Sequence, residues 1–413
     1  MLADPGNALF HLTDPRGASD KSGRTFNNPY QYFFEQMHMD DAIYADESIY
    51  EYPMQQGGGN DGRPYSFGRP SSGGSKAAYP CKSYGQGRIN PAYFYGVFDP
   101  NDMRRDVSIT MTGSNGKGVE KLIPFVPNSK AEGGGLTLNK WDENRQANPW
   151  VAAQRKSGIN GPYMRMSEVY LGYAEVCAAL GDVVTGKQYL KTVRERSFPQ
   201  GLANTDAFIA SFGNDLVRAI IEERGFEYAG EGDRRWTLIR SGYLPEDIKR
   251  IKDMTKAMMD GLATKGYYEF ENGNIISAYI WTKLVDAKTI YGHRLTAQCP
   301  TDKVNDPVLY PGWRGQKDNW EEMGLNYGSS TPATNLAIKG LFEIVSEEEA
   351  ASLESQGYTK VNWGIDLVDN RDEYDKYLFW DYDYVSAPIY LWPFTPNVMA
   401  AGGFTNGYGF KQE

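Results

Sequence analysis

Residues 163–196 read YMRMSEVYLGYAEVCAALGDVVTGKQYLKTVRER. Apolar residues recur at Met166, Tyr170, Tyr173, Cys177 and Leu180, one face of a 3.6-residue period. Gly181-Asp182 breaks that pattern, and a second face follows at Tyr189, Leu190, Val193 and Ser197. Two amphipathic helices joined by a short glycine turn form an αα-hairpin. Ala174 and Ala178 are small enough to let the helices approach closely. This is how one tetratricopeptide-like unit reads, and such a unit buries its faces only against neighbours.

Those neighbours are predicted further along the chain. Residues 205–224 place Phe208, Phe212, Leu216 and Ile220 on one helical face. Residues 245–260 form another helix, with Pro245 at its first position and Glu246-Asp247 at the positive end of its dipole. Thr331-Pro332 reads as the cap and first position of a helix over 332–345. Short strands are predicted over 107–111 and 119–126, and 57–75 is a Gly/Ser/Pro-rich surface loop. The fold class is therefore mainly α: a tetratricopeptide-like hairpin scaffold with long loops and a few short β-strands.

Composition excludes several roles. The 413 residues carry a net charge of −10, whereas nucleic-acid binding needs a basic footprint. No apolar run is long enough to cross a membrane as a helix. Cys81, Cys177 and Cys299 are too few for a disulfide framework, and Cys177 reads as a small core residue. The run from Gly181 to Gln188 approaches a phosphate-binding loop, but Gln188 replaces the Ser/Thr and the run joins two helices, so it is an inter-helix turn. Glu222, Glu223, Arg224, Glu227, Glu231, Arg234 and Arg235 form a dense charge cluster, expected to pair at a surface. Asp381-Tyr382-Asp383 starts like a calcium loop but lacks its glycine and closing Glu, and is read as a turn or surface segment.

Three blocks carry a family resemblance. Arg165–Glu175 (RMSEVYLGYAE) resembles the "R-x-A-E-V-x-L-x-Y-A-E" helix of the SusD/RagB family, and Tyr189–Arg196 continues it like "L-N-x-V-R-x-R". Ile221–Gly232, with Arg234, Arg235 and Leu238-Ile239-Arg240, is similar to "E-R-x-x-E-F-x-G-E-G-x-R-x-x-D-L-x-R". Tyr390–Asn397 resembles the closing "L-x-P-I-P" segment, with Asn406-Gly407-Tyr408 near the usual terminal "Q-N-P-G-Y". Ser167 stands where the family usually has Ala, Thr237 where it has Asp, and Phe394-Thr395 where it has Ile-Pro.

The resemblance implies a SusD-like, lipid-anchored nutrient-binding protein at the surface of the outer membrane. It would capture an oligosaccharide or other small nutrient for a SusC-like TonB-dependent transporter. It implies no catalytic residue, metal or cofactor. Residues 1–25 are polar and hold no Cys, so the signal and anchor of such a protein are expected ahead of this chain. Residues 1–160 are expected to form a loop-rich, aromatic, ligand-facing region with short strands, and 161–413 the helical core with a loop-rich end, intertwined as one domain.

In such proteins the ligand meets aromatic loops ahead of the "R-x-A-E-V" helix. That points to Tyr44, Tyr50, Tyr52, Tyr65 and Phe67 for stacking, and to Asn60, Asp61 and Arg63 for hydrogen bonds to hydroxyls. A tyrosine joins a flat apolar face to a polar rim, and a sugar presents C–H patches edged by hydroxyls. Two alternatives stay open at this point. An α-rich carbohydrate-active hydrolase would hide an Asp/Glu pair with one raised pKa in a cleft. A structural partner of the transporter would hold no ligand.

Overall fold

The computed structural model of the protein describes residues 30, 34, 47–54, 68, 71–72, 82–83, 85–114, 120–125, 135–141, 160–198, 201–286, 334–372 and 394–403. In chain order the strands are β1 (Ser48–Tyr52), β2 (Ser71–Ser72), β3 (Lys82–Ser83), β4 (Ile109–Thr110), β5 (Thr112–Ser114), β6 (Glu120–Leu122), β7 (Thr137–Leu138), β8 (Gly161–Arg165), β9 (Tyr267–Glu269), β10 (Ile275–Ser277), β11 (Tyr279–Asp286), β12 (Thr334–Lys339) and β13 (Thr359–Asn362). The helices are α1 (Met103–Ser108), α2 (Met166–Ala179), α3 (Val183–Glu195), α4 (Thr205–Ala210), α5 (Leu216–Glu227), α6 (Arg234–Ser241), α7 (Leu244–Lys265), α8 (Glu347–Ser355), α9 (Gly364–Asp369) and α10 (Pro396–Gly402). A π-helical turn covers Tyr93–Val97. The helix-rich scaffold with short strands is the class expected from the sequence. The described sheets include a four-stranded one of order β3-β2-β5-β6 and a three-stranded one of order β12-β11-β13, and β1 pairs with β8 as a separate antiparallel ribbon.

Helices α2 and α3 are the predicted hairpin. Gly181 turns with φ +87°, and the Asp182 side chain accepts from the Thr185 amide at 3.1 Å to cap α3. A Cβ on Gly186 would lie 2.9 Å from the Ala174 carbonyl oxygen and 3.1 Å from the Ala178 nitrogen. Gly186, from the run that mimics a phosphate loop, thus sets the closeness of the two helices.

The buried face of α2 is rotated from the one expected. Met166, Leu171, Ala174 and Cys177 are buried, whereas Leu180 is 82% exposed. The cause is α5, which packs Leu216, Ala219 and Ile220 against the Leu171 and Ala174 side. Tyr170 and Tyr173 instead meet Tyr189 across the hairpin, with ring centroids 5.3 and 4.9 Å apart.

Other boundaries moved for local reasons. The helix expected over 205–224 is broken into α4 and α5, because Gly213 and Asn214 both take φ +65°. Val107 and Ser108 are helical rather than extended: Asp102 caps α1 through the Arg104 amide at 2.9 Å, and the strand begins only at Ile109. Part of the helix expected over 332–345 is strand β12, paired in register with β11 from Asp286↔Thr334 to Trp281↔Lys339. Leu336 and Ile338 enter the core from this strand, so long-range pairing overrides the local cap signal. Residues 332 and 333 lie outside the described residues. The strand over 119–126 is found as β6, and the helix over 245–260 as the longer α7.

The main core gathers Phe94, Tyr95, Phe98, Met258, Leu262, Phe270, Trp363 and Leu367. Tyr95 sits on the π-helical turn. Its hydroxyl accepts from Trp363 Nε1 at 2.9 Å, and its carbonyl accepts from Asn272 and Asn274 at 2.8 Å each.

Helix α5 joins this core to the hairpin, and its charged residues lie inside, not at the surface as expected. Glu222, Glu223, Arg224 and Glu227 are all buried. Arg104 reaches Glu223 at 2.6 Å and Glu227 at 3.1 Å. Arg165 binds Glu47 at 2.6 Å, Glu227 at 2.9 Å and Glu231 at 2.9 Å. Arg196 binds Glu47 and Glu227 at 2.6 Å each, Arg194 binds Glu223 at 2.9 Å, and Lys140 binds Glu231 at 2.6 Å. Tyr30 donates its hydroxyl to Glu227 at 2.9 Å. Burial alone pushes the Glu227 carboxyl up, but Arg196, Arg165 and Arg104 more than reverse this and hold it well below the usual carboxylate range. Burial also pushes Glu47 up, and Arg196 and Arg165 pull it below its ordinary value.

Two of the departures from the family pattern fit this interior. Ser167 accepts from Arg165 Nη1 and from the Tyr228 hydroxyl, both at 3.0 Å. Thr237 accepts from Arg224 Nε at 3.2 Å and donates to Asp233 at 2.8 Å. Asp233 also pairs with Arg224, so a carboxylate still faces that guanidinium.

Substitutions at two glycines and in the buried ion pairs test this packing. Gly186→Ala should destabilise the protein by about 1–3 kcal/mol in urea unfolding, because the helices must separate. Gly172→Ala, whose added Cβ meets nothing within 4 Å, should stabilise by about 0.5–1 kcal/mol. Glu227→Gln leaves buried cations undercompensated and should cost about 3–5 kcal/mol, against under about 1 kcal/mol for Arg240→Ala at the exposed pair with Glu175. The folded-state pKa values of Glu47 and Glu227 lie below the unfolded ones. Their stabilisation is therefore complete above about pH 4.3 and lost as pH falls through the lower folded values. Urea midpoints should drop in that acid window, and Glu227→Gln should flatten the drop; an unchanged slope would rule Glu227 out as its source.

Candidate functional site

The buried ion pairs hold the base of the β1–β8 ribbon. Glu47 directly precedes β1, and Arg165 ends β8. Besides their ion pair, the Glu47 carbonyl accepts from the Met166 amide at 2.8 Å. The ribbon therefore leaves the charged interior at a fixed angle and carries its far end to the surface.

That end is aromatic. Tyr50, Tyr52 and Tyr163 are 57%, 60% and 71% exposed. Tyr50 and Tyr52 share one strand face by the period of two. The register passes from Tyr50↔Met164 to Glu51↔Pro162, leaving Tyr163 as the extra residue of a bulge on β8. A bulge re-aims a side chain, and here the Tyr163 ring meets Tyr50 edge to face, with centroids 5.6 Å apart at 85°. Asn160 clasps the end of the ribbon: it accepts from the Met54 amide at 2.8 Å and donates to Glu51 at 2.9 Å. Three exposed rings on a braced ribbon form an amphipathic surface able to stack on C–H faces and bond hydroxyls.

Of the residues expected from the sequence, Tyr50 and Tyr52 stand on this ribbon. Tyr44, Asn60, Asp61, Arg63, Tyr65 and Phe67 lie outside the described residues, as do Asp381-Tyr382-Asp383 and the segment Tyr390–Pro393. Tyr163 was missed. It opens the stretch that reads as a hairpin, and its partner strand lies far away in sequence, so no local pattern marks it.

The buried carboxylates offer little acid–base chemistry. Glu47 and Glu227 are held ionised by guanidinium groups, the opposite of a general acid with a raised pKa. Among the described residues, no group of His, Cys, Asp and Glu is arranged to hold a metal ion. No helix among them is long and apolar enough to cross a membrane.

Comparison with known proteins bears on this arrangement. The sequence model described as the SusD family matches residues 11–393. SusD-like protein P25 of Formosa agariphila is 28% identical over 160 residues, 38% of this chain and 26% of that protein. A SusD homolog from Bacteroides thetaiotaomicron shares 19% identity over 55% of this chain and 48% of its own, with a TM-score of 0.40. Surface glycan-binding protein A from the same organism, solved in complex with laminarihexaose, shares 16% identity over 59% of this chain and 49% of its own, with a TM-score of 0.36. The chain thus spans about a quarter of the curated relative and about half of each solved one. With its family match running through both the ribbon and the charged helix α5, the chain belongs to the SusD family.

Proposed function

We propose that this protein captures an oligosaccharide at the cell surface and presents it to a SusC-like TonB-dependent transporter of the outer membrane. Membership of the SusD family supports this reading, and the observation that carries it is the exposed Tyr50–Tyr163 pair with Tyr52 on one ribbon. No bond is made or broken in this role. Affinity comes from ring stacking and a few hydrogen bonds, and the small apolar area per sugar keeps it loose enough for handover. Tyr44, Asn60, Asp61, Arg63, Tyr65 and Phe67 belong to the same proposal, since most of them follow β1 closely in sequence. So do the lipid anchor and the surface location in the outer membrane.

The division into a ligand-facing part (1–160) and a helical core (161–413), folded as one intertwined domain, is proposed with it. Ion pairs from Glu47 and Arg104 to residues 165–227 support the intertwining.

The test is retention on gels containing a panel of polysaccharides, with released products scored alongside. Retention without product is expected, and the Tyr50→Ala/Tyr163→Ala double variant should bind about tenfold more weakly or worse while melting like the parent. Release of shorter sugars would replace capture by hydrolysis. Silence on every glycan would favour a transporter partner with no sugar of its own.

A further inference from the structure

A second feature lies away from the ribbon. A cleft of about 390 Å³ opens between α4, the π-helical turn, α5 and α7, and no residue of β1 or β8 lines it. That volume falls in the range of small-molecule sites. Its apolar wall is Phe208 and Phe212, edge to face at 5.2 Å, with Phe226 beneath. Arg194 covers one face of Phe208 at 3.8 Å from the centroid.

The charges around the cleft are unequally committed. Asp102 is bound by Arg104, Arg194 by Glu223, and Glu222 by Arg218 and Arg234. Two groups keep spare capacity. Asp99 accepts from the Asn101 amide through Oδ1 and has no ion pair among the described residues. Arg250 bonds Asp247 at 2.6 Å and Glu222 at 3.4 Å, both through Nη2, and its Nη1 makes no hydrogen bond among the described residues. A guanidinium N–H with no partner suits a ligand that accepts from it.

A cationic ligand would satisfy Asp99 and leave Arg250 Nη1 unmet. An anionic one would face the Asp99 carboxylate. Hydroxyl groups, which both donate and accept, answer both. We propose that this cleft is a second carbohydrate site, sized for a neutral mono- or disaccharide whose hydroxyls bond Asp99 and Arg250 and whose C–H face packs on Phe212. It does not rest on the ribbon as a glycan platform. A short sugar held here would occupy the scaffold separately from a polymer held on the ribbon.

Saturation-transfer NMR titrations with glucose, N-acetylglucosamine, maltose and cellobiose test this on the whole chain. At least one probe should saturate, and equally so in the Tyr50→Ala/Tyr163→Ala variant. Asp99→Asn should weaken it about fivefold, as for one lost hydrogen bond. Ala207→Trp, which fills the cleft from α4, should abolish it; Ser211→Trp serves if that variant does not fold. No saturable signal with any probe, or a signal that survives filling, overturns the proposal. A signal lost in the ribbon variant alone also overturns it, while leaving the ribbon's glycan role standing.

Discussion

Glu227 is the point from which the rest of the structure is held. Its two oxygens take Arg104, Arg165, Arg196 and the Tyr30 hydroxyl, drawn from four separated parts of the chain. A lone carboxylate in such an interior would be strongly unfavourable, and so would each guanidinium. The arrangement persists because Glu47, Asp102, Glu223, Glu227 and Glu231 are matched by Arg104, Lys140, Arg165, Arg194 and Arg196. Such a network gains little over a well-packed apolar core, but it accepts few alternative arrangements. Aromatic rings extend it outward: Arg196 lies over Tyr30, Arg165 over Tyr228 and Arg104 over Phe226.

This interior explains why a surface ribbon can be rigid. Long loops usually leave binding residues mobile, and ordering them on contact reduces affinity. Here the base of the β1–β8 ribbon is tied by Glu47 and Arg165 to the helical core, and its end is clasped by Asn160. The bulge that exposes Tyr163 is therefore held from both ends of the ribbon. The same core places the cleft beside α4, whose position follows from the left-handed residues Gly213 and Asn214 that separate it from α5.

The hairpin, the long α7 and the mainly α class were legible because helical periodicity is local: a face repeats every turn whatever it later meets. The glycine turn of the hairpin was legible for the same reason, at Gly181. The errors share one cause. Leu180 fits the periodic face of α2 but lies outside it, because α5 chose which side to cover. Thr331-Pro332 looks like a helix start, yet Leu336 and Ile338 pair with a strand about fifty residues earlier.

The amino-acid sequence determined the helical scaffold, the family and the aromatic, polar character of the surface. Only the tertiary structure decided that the charges of α5 turn inward and that Tyr163 joins Tyr50. Charge identity does not reveal burial, since the same Glu–Arg spacing serves an exposed helix and a matched interior. What separates the two is whether partners such as Glu47, Arg104 and Arg165 arrive from elsewhere in the chain, and that meeting exists only once the chain has folded.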